Sequence, residues 1–527
     1  MALTKSLKEI IAKDKTGLLG KHASWERVCL RDVAEVLNGY PFESNLFQSS
    51  NGMPLIRIRD VQTGSTNTFF TGEFDSQFLV NPGELLVGMD GDFNSARWKS
   101  KPSLLNQRVC KLTVDGRFYS DRLLELVLPG FLAAIHAETS SVTVKHLSSR
   151  SIQEIELPLP PAAEQTRIVE KLEELLSGLD AGVAELKAAQ KKLVQYRQSL
   201  LKAAVEGALT AEWRKGQDAM PAESGPALLV RILTERRSRW ETRQLAKFQA
   251  QGKTPPKDWQ KKYSEPVAPD TNGLPELPVG WVWASLEQLA SDERYSLAIG
   301  PFGSNLKVPD YRESGVPLVF VRNIRSGNYG GTHAKYVTPE KAAELVAHSV
   351  SAGDVLVTKM GEPPGDADVY PEDQPPAVIT ADCIKIRCWP GLMRPHFLKA
   401  VINSYIGHRQ IEPMTQGVAQ KKVSLGRFSS LAVPVPSYSE QTAIMALVSV
   451  ADSEAVTQEL AVVHSLKQST AQRKNILQAA FSGQLVPQDP ADEPASALLA
   501  QIRVERAERA AREAGSARGR GKKKAAA

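Results

Sequence analysis

The sequence predicts mixed α/β (α+β) globular units in two copies, alternating with two long α-helices that form an antiparallel coiled coil with a pseudo-twofold internal repeat. Three observations lead there. The chain resembles itself at a constant offset, a proline-free stretch carries a heptad of apolar residues, and short β-like runs punctuated by Gly, Pro and Asn fill the rest.

The repeat is the strongest signal. Thr139–Thr210 aligns with Thr415–Val486 without gaps at an offset of 276, and 18 of the 72 positions are identical. Pro158, Pro160 and Glu164-Gln165-Thr166 recur as Pro434, Pro436 and Glu440-Gln441-Thr442. Upstream, Pro41-Phe42-Glu43-Ser44-Asn45-Leu46 echoes Pro301-Phe302-Gly303-Ser304-Asn305-Leu306, and Gly83-Glu84-Leu85-Leu86-Val87 echoes Gly353-Asp354-Val355-Leu356-Val357. Downstream, Ala227-Leu228-Leu229 with Ile232 echoes Ala497-Leu498-Leu499 with Ile502.

Seven segments follow: 1–24, an N-terminal segment; 25–160, a first globular domain; 161–210, a first long helix; 211–277, a basic, partly helical connector; 278–437, a second globular domain; 438–486, a second long helix; and 487–527, a basic C-terminal segment with a disordered end from Ala517.

In the globular domains the β-like runs are Pro54–Ile58, Leu85–Val87, Arg108–Leu112, Leu318–Val321, Val355–Val357 and Ile384–Ile386, with helices expected at Ala342–Ala347 and Phe397–Ile406. Each domain closes on a Pro-x-Pro edge that ends the sheet and starts a helix. Glu164–Glu206 reads as one helix of 43 residues, about 65 Å long at 1.5 Å per residue. Its stripe is Leu172, Leu176, Leu179, Val183, Leu186, Leu193, Leu200 and Ala204, interrupted by Gln190 and Arg197. Such a helix cannot bury its stripe on its own small domain and needs a partner. The copy at 440–482 supplies one, with a weaker seam of Val456, Leu460, Val463, Ile476, Leu477 and Ala480. Gly207 and Gly483 read as helix stops.

The net charge of +6 is local. Nine Lys/Arg and three Glu between Arg503 and Lys524 account for all of it, so residues 1–502 balance to zero, and 231–262 alone carries ten basic and three acidic residues. A polyanion partner is allowed by this pattern, through a local surface. For the basic segments two readings stand, helper contacts to a nucleic-acid backbone or a face packed against partner subunits. The Leu228/Leu229/Ile232 stripe favours the second for the amphipathic parts. Cys29, Cys110, Cys383 and Cys388 lack CxxC spacing and a nearby histidine pattern, which argues against a metal site and for neutral thiols in a reducing compartment. No signal-like leader opens Met1–Gly20 and no apolar run approaches a membrane span, so a cytoplasmic location without membrane contact is expected.

No catalytic set stands out. The D/N-P-P-Y/F motif that holds a flipped adenine is absent, as are HExxH and a nucleophile elbow. Gly252-Lys253-Thr254 has Lys247 where a phosphate-binding loop needs its first glycine. The chain is expected to be no enzyme and to bind no cofactor.

The ordered set of motifs, present twice, resembles a known family. Besides the Pro-x-Pro…Glu-Gln motif, it includes Leu105-Asn106-Gln107-Arg108-Val109-Cys110, Gly300-Pro301-Phe302-Gly303-Ser304 and Gly417-Val418-Ala419-Gln420-Lys421-Lys422-Val423-Ser424. Together they look like the specificity subunit of type I restriction–modification systems, over residues 25–486. The resemblance implies that each globular domain is a target recognition domain reading one half of a bipartite double-stranded DNA site. It implies that the helices set the unread spacer. Two modification subunits carrying S-adenosylmethionine for adenine methylation, and restriction subunits using ATP and Mg, are the implied partners.

Phosphate contacts call for Lys and Arg, and base reading for Arg, Asn, Gln or Ser/Thr near a groove. The loop before each Pro-x-Pro edge is basic in both copies: Lys145, His146 and Arg150, and Gln420, Lys421, Lys422 and Arg427. It is the first DNA-facing candidate. The strand ends Arg57/Arg59 and Arg322/Asn323 come second. Ser44 and Ser304 are expected to hold turns. Two rival readings remain, a coiled-coil adaptor without DNA readout and the recognition part of a fused restriction enzyme.

Overall fold

The computed structural model describes residues 6–139, 145–216, 223–325, 335–417 and 421–524, the side chains of 510 and 512–524 excepted. They form two compact units, Met1–Lys187 with Val463–Ala527, and Ala188–Val462. Each unit joins one globular domain to half of each long helix.

In the first unit a four-stranded antiparallel sheet runs in the order Ala34–Asn38, Val109–Val114, Leu85–Gly88, Asn94–Arg97. A five-stranded sheet has Met53–Ile56 and Ser103–Leu105 parallel at its centre, with Leu55 opposite Leu104. Glu26–Cys29 pairs with Glu156–Leu159, the Pro-x-Pro edge. The second unit repeats the plan. Leu297–Ile299, Cys383–Ile386, Val355–Thr358 and Ala367–Val369 form one sheet. Val316–Val319 lies parallel to Ala377–Ile379 in another, and Val282–Ser285 pairs with Ala432–Val435. The central strands Leu85–Gly88 and Val355–Thr358 are buried along their whole length, which is why they read as continuous apolar runs without alternation.

One helix of the first domain is not legible by pattern. Asp121–Glu138 is helical although it contains Pro129. A proline inside a helix costs about 3 kcal/mol. Here seven apolar side chains from Leu123 to Ile135 are buried on one face, and burial of even two of them, at about 1.5–3 kcal/mol each, offsets that cost.

The long helices run Ala162–Val205 and Tyr438–Phe481. Gly207 and Gly483 end them with φ of +75° and +73°, the left-handed conformation that glycine adopts without strain. The helices are antiparallel within each unit. In the first, Arg473 reaches Asp180 at 2.6 Å while Ala480 and Phe481 share a core with Ile168 and Leu172. In the second, Arg197 bridges Asp452 (3.1 Å) and Glu459 (2.7 Å) while Arg214 meets Glu440 at 2.5 Å. Arg197, an interruption of the heptad in sequence, is thus a cross-helix ion pair.

The Glu-Gln pair welds each helix to its domain. Gln165 Oε1 accepts from Ser120 N at 2.7 Å, and its Nε2 donates to Phe118 O and Pro160 O, both at 3.2 Å. Gln441 does the same with Arg394 N at 2.9 Å, Leu392 O at 3.3 Å and Pro436 O at 3.4 Å.

Three expectations need correction. In the second long helix Leu460 and Val463 are 64% and 50% exposed and lie off the seam, as does Val456. The expected Ile476, Leu477 and Ala480 do pack inward, whereas around Val456 and Val463 the buried side is one residue earlier, at Ala455 and half-buried Val462, in line with buried Val448 and half-buried Ser469. Small residues occupy it, so a reading that follows the largest aliphatics picks the wrong face. Leu228 and Ile232, on the helix Gly225–Ala250, are buried in the second unit's own core beside Trp281 and Ala284, and Leu498 and Ile502 are buried likewise in the first. That stripe needs no partner subunit. The C-terminal helix runs Ala495–Lys524 and so continues past Ala517, where a disordered end is expected; it is carried by the Ala-, Arg- and Glu-rich run before Gly515, and 525–527 lie outside the described residues.

Candidate nucleic-acid interface

In the first unit the strand Leu85–Gly88 leads into a tight turn before Asn94–Arg97. Two loops close on it. Leu147 N donates to Met89 O at 2.7 Å, and Gly91 N to Lys145 O at 3.0 Å, so Asp90 faces His146. From the other side Met89 N donates to Arg108 O at 2.9 Å. His146 Nδ1 lies 2.5 Å from Asp90 Oδ1, Arg108 Nε 3.4 Å from Asp90 Oδ2, and Arg108 Nη1 3.2 Å from the His146 ring.

The second unit builds the same frame around the turn between Val355–Thr358 and Ala367–Val369. Val423 N donates to Lys359 O at 3.1 Å, Gly361 N to Lys421 O at 3.4 Å, and Lys359 N to Asp382 O at 2.7 Å, with Met360 facing Lys422. Backbone positions match one for one while the side chains differ. Asp90, His146 and Arg108 of one unit correspond to Met360, Lys422 and Asp382 of the other.

The second pair of candidate segments arrives at the same turns. Ile58 packs against Gly88, at 3.2 Å from where a Cβ would stand, so Arg57 and Arg59 border the first turn and are exposed. In the second unit the short helix Val321–Arg325 packs on both strands flanking the turn. Arg325, beside exposed Arg322, bonds Asp366 Oδ2 (2.8 Å) and Pro363 O (2.9 Å).

The candidates differ in how free their side chains are. Lys421 is half-buried and Lys422 exposed. Arg427 is exposed and reaches Met414 O at 3.4 Å. Arg150 is exposed and paired with Glu154 at 2.9 Å. Lys145 donates from Nζ to His136 O at 2.6 Å near the end of the Asp121–Glu138 helix, a position where a cation complements unpaired carbonyls. Gln420 lies outside the described residues. Asn323 is corrected to a structural role: it is buried, and its Oδ1 accepts from Phe320 N at 2.9 Å. Asp60 caps the equivalent turn by accepting from Arg57 N at 2.9 Å.

Sequence reasoning did not single out Arg108, Arg325 and Lys359, which the structure also brings to these turns. Arg108 sits at φ +74°, which no local pattern announces. Arg325 follows Arg322 by one helical turn, a spacing that could have flagged it.

The surroundings add two facts. Among the described residues no three His, Cys, Asp or Glu side chains converge on a possible metal position. No described helix is long and apolar enough to cross a membrane.

Comparison with known proteins identifies the family. Residues 23–188 match the type I restriction modification DNA specificity domain. The chain is similar to the specificity subunit of the type I restriction enzyme EcoBI from Escherichia coli, with 34% identity over 96% of this chain and 98% of that one. The EcoDI specificity subunit of Escherichia coli is 23% identical, over 92% and 95% of the two chains. A chain solved in work on complex assembly and conformational transition of the type I R-M system shares the fold at a TM-score of 0.57, with 15% identity over 87% of this chain and 98% of that chain. With a relative at this identity aligned over nearly its whole length, the chain belongs to the family of type I restriction–modification DNA specificity subunits.

Proposed function

We propose that each of the two matching turns, with its flanking loops, reads one half of a split DNA site. The carrying observation is the repeated backbone frame with divergent side chains. Asp90/His146/Arg108 and Met360/Lys422/Asp382 stand at equivalent positions. Two readers on one scaffold with different side chains suit two different half-sites, since base-edge recognition depends on donors and acceptors at fixed places. Arg57, Arg59, Arg322, Lys421, Lys422 and Arg427 supply cationic or donor groups around the turns.

The long helices act as the spacer that fixes the unread interval, and their ends are welded to the readers by Gln165 and Gln441. The chain itself carries out no chemistry and holds no cofactor. Adenine methylation with S-adenosylmethionine, by two modification subunits, and ATP- and Mg-dependent restriction belong to its partners. Its expected location is the cytoplasm.

The test is charge reversal at one turn. Lys421→Glu with Lys422→Glu, in the assembly with modification subunits, abolishes discrimination at one half-site and leaves the other half-site and assembly intact. Unchanged binding of the cognate duplex contradicts the assignment.

A further inference from the structure

The helix Gly225–Ala250 has two ends with different fates. Its first turns are buried through Leu228 and Ile232. Its middle is held by paired arginines: Arg239 and Arg243 both reach Asp292, at 3.4 and 2.6 Å, and Arg237 reaches Glu241 at 3.3 Å and Glu265 at 3.4 Å. Beyond Arg243 acids become sparse. Residues 247–262 contain five lysines and one aspartate, a net charge of +4.

This end is ordered by aromatic contacts. The chain turns back after Gln251 through Gly252, with Lys253 N donating to Phe248 O at 2.9 Å. Trp259 then stacks on Trp240 of the helix at 5.8 Å and 18°, Phe248 meets Trp259 edge-on at 6.2 Å, and Tyr263 covers Trp240 at 5.3 Å. The result is a stapled arm, not a loose linker. Lys261 pairs with Asp258 at 2.9 Å. Lys247, Lys253, Lys257 and Lys262 are exposed and have no ion pair among the described residues.

Unpaired cations held on a rigid arm repel one another unless a polyanion neutralises them. We propose that this arm binds the phosphate backbone of duplex DNA, independently of sequence and apart from the reading turns. The inference rests on the DNA-reading assignment above for its choice of polyanion. Because the aromatic staple orders the arm beforehand, little conformational freedom is lost on contact. The arm adds affinity without adding discrimination, since phosphate contacts carry no sequence information.

The experiment uses the full chain assembled with its modification subunits. Binding to a cognate duplex and to a scrambled duplex is followed by fluorescence anisotropy across a salt series. The variant is Lys247→Gln, Lys253→Gln, Lys257→Gln and Lys262→Gln together, with the four Lys→Arg changes as the charge-preserving control. Each lost phosphate contact lowers the slope of log K against log salt by about 0.9, so the Gln variant loses up to about 3.5 of slope on both duplexes. The ratio of the two affinities and the melting temperature stay unchanged, and the Arg set retains the wild-type slope. An unaltered slope overturns the proposal. So does a loss confined to the cognate duplex, or a loss of assembly with the slope intact, which makes the arm a protein-docking surface. A wild-type assembly that fails to prefer the cognate duplex counts against the reading assignment instead, and the slope comparison still judges the arm.

Discussion

Trp281 Nε1 donates to Glu440 Oε2 at 2.9 Å, and Trp25 Nε1 donates to Glu164 Oε2 at the same distance. Both carboxylates are buried at the start of a long helix, where the helix dipole favours negative charge. The tryptophan in each case lies just before the strand that pairs with the Pro-x-Pro edge. The repeated glutamate thus ties sheet edge and helix start together. Glu440 Oε1 additionally accepts from Thr210 Oγ1 at 2.7 Å and Arg214 Nη1 at 2.5 Å.

Removing that carboxylate strands Arg214 and the Trp281 indole N–H. Glu440→Ala is expected to destabilise the second unit by about 2–4 kcal/mol, toward the lower part of the range for broken buried pairs because Arg214 is partly solvated. Trp281→Phe loses the hydrogen bond and some of the buried indole's packing but leaves the Glu440–Arg214 pair in place, for about 1–2 kcal/mol. Urea unfolding monitored by circular dichroism checks the order; equal effects from the two variants contradict it.

A second expectation concerns pH. Lys385 is 1% exposed, and burial pushes its ammonium down to about 8. Its counterpart Lys111 reaches Glu84 at 3.0 Å. In the second unit the matching Asp354 is taken by Arg387 at 2.8 Å, which leaves Lys385 Nζ with the Ser349 carbonyl at 2.7 Å. The folded value lies below the unfolded one, near 10.4. Between pH 8 and 10.4 the unfolded chain therefore binds more protons, and stability from this group rises with pH. Relative to Lys385→Met, the wild type should gain on the order of 3 kcal/mol from pH 7 to pH 10.5. Parallel stability curves for the two proteins contradict this.

The thiols should be inert. Burial pushes Cys110, Cys383 and Cys388 up to about 12 and raises half-buried Cys29. Since the thiolate is the reactive form, iodoacetamide at pH 8 should leave these three buried cysteines unlabelled in the folded protein and label them in urea. Rapid native labelling of Cys110 or Cys383 contradicts the packing.

Much of the fold is legible in the sequence, for physical reasons. The long helix expected over Glu164–Glu206 is observed over Ala162–Val205, because a proline-free heptad stretch, even with Gln190 and Arg197 in its seam, and a terminal glycine leave few alternatives. The strand expected at Leu85–Val87 is observed at Leu85–Gly88. What hides is whatever depends on a distant neighbour. The seam of Tyr438–Phe481 runs over Ala455 and Ser469, small residues chosen by the facing helix and not by hydrophobicity. Asn323 looks like a base reader and is a buried cap. Arg108 comes to Asp90 and His146 only through sheet pairing. The arm's aromatic staple joins Trp240 to Trp259 across a turn that composition alone marks as merely basic.

The pattern of N6-methyladenine in a host genome expressing this chain with its modification subunits tests the two-reader arrangement most directly. Exchanging residues 25–160 for those of a relative with another specificity should change one half of a split motif and leave the other half and the gap as they were. A change in both halves, or in neither, contradicts it.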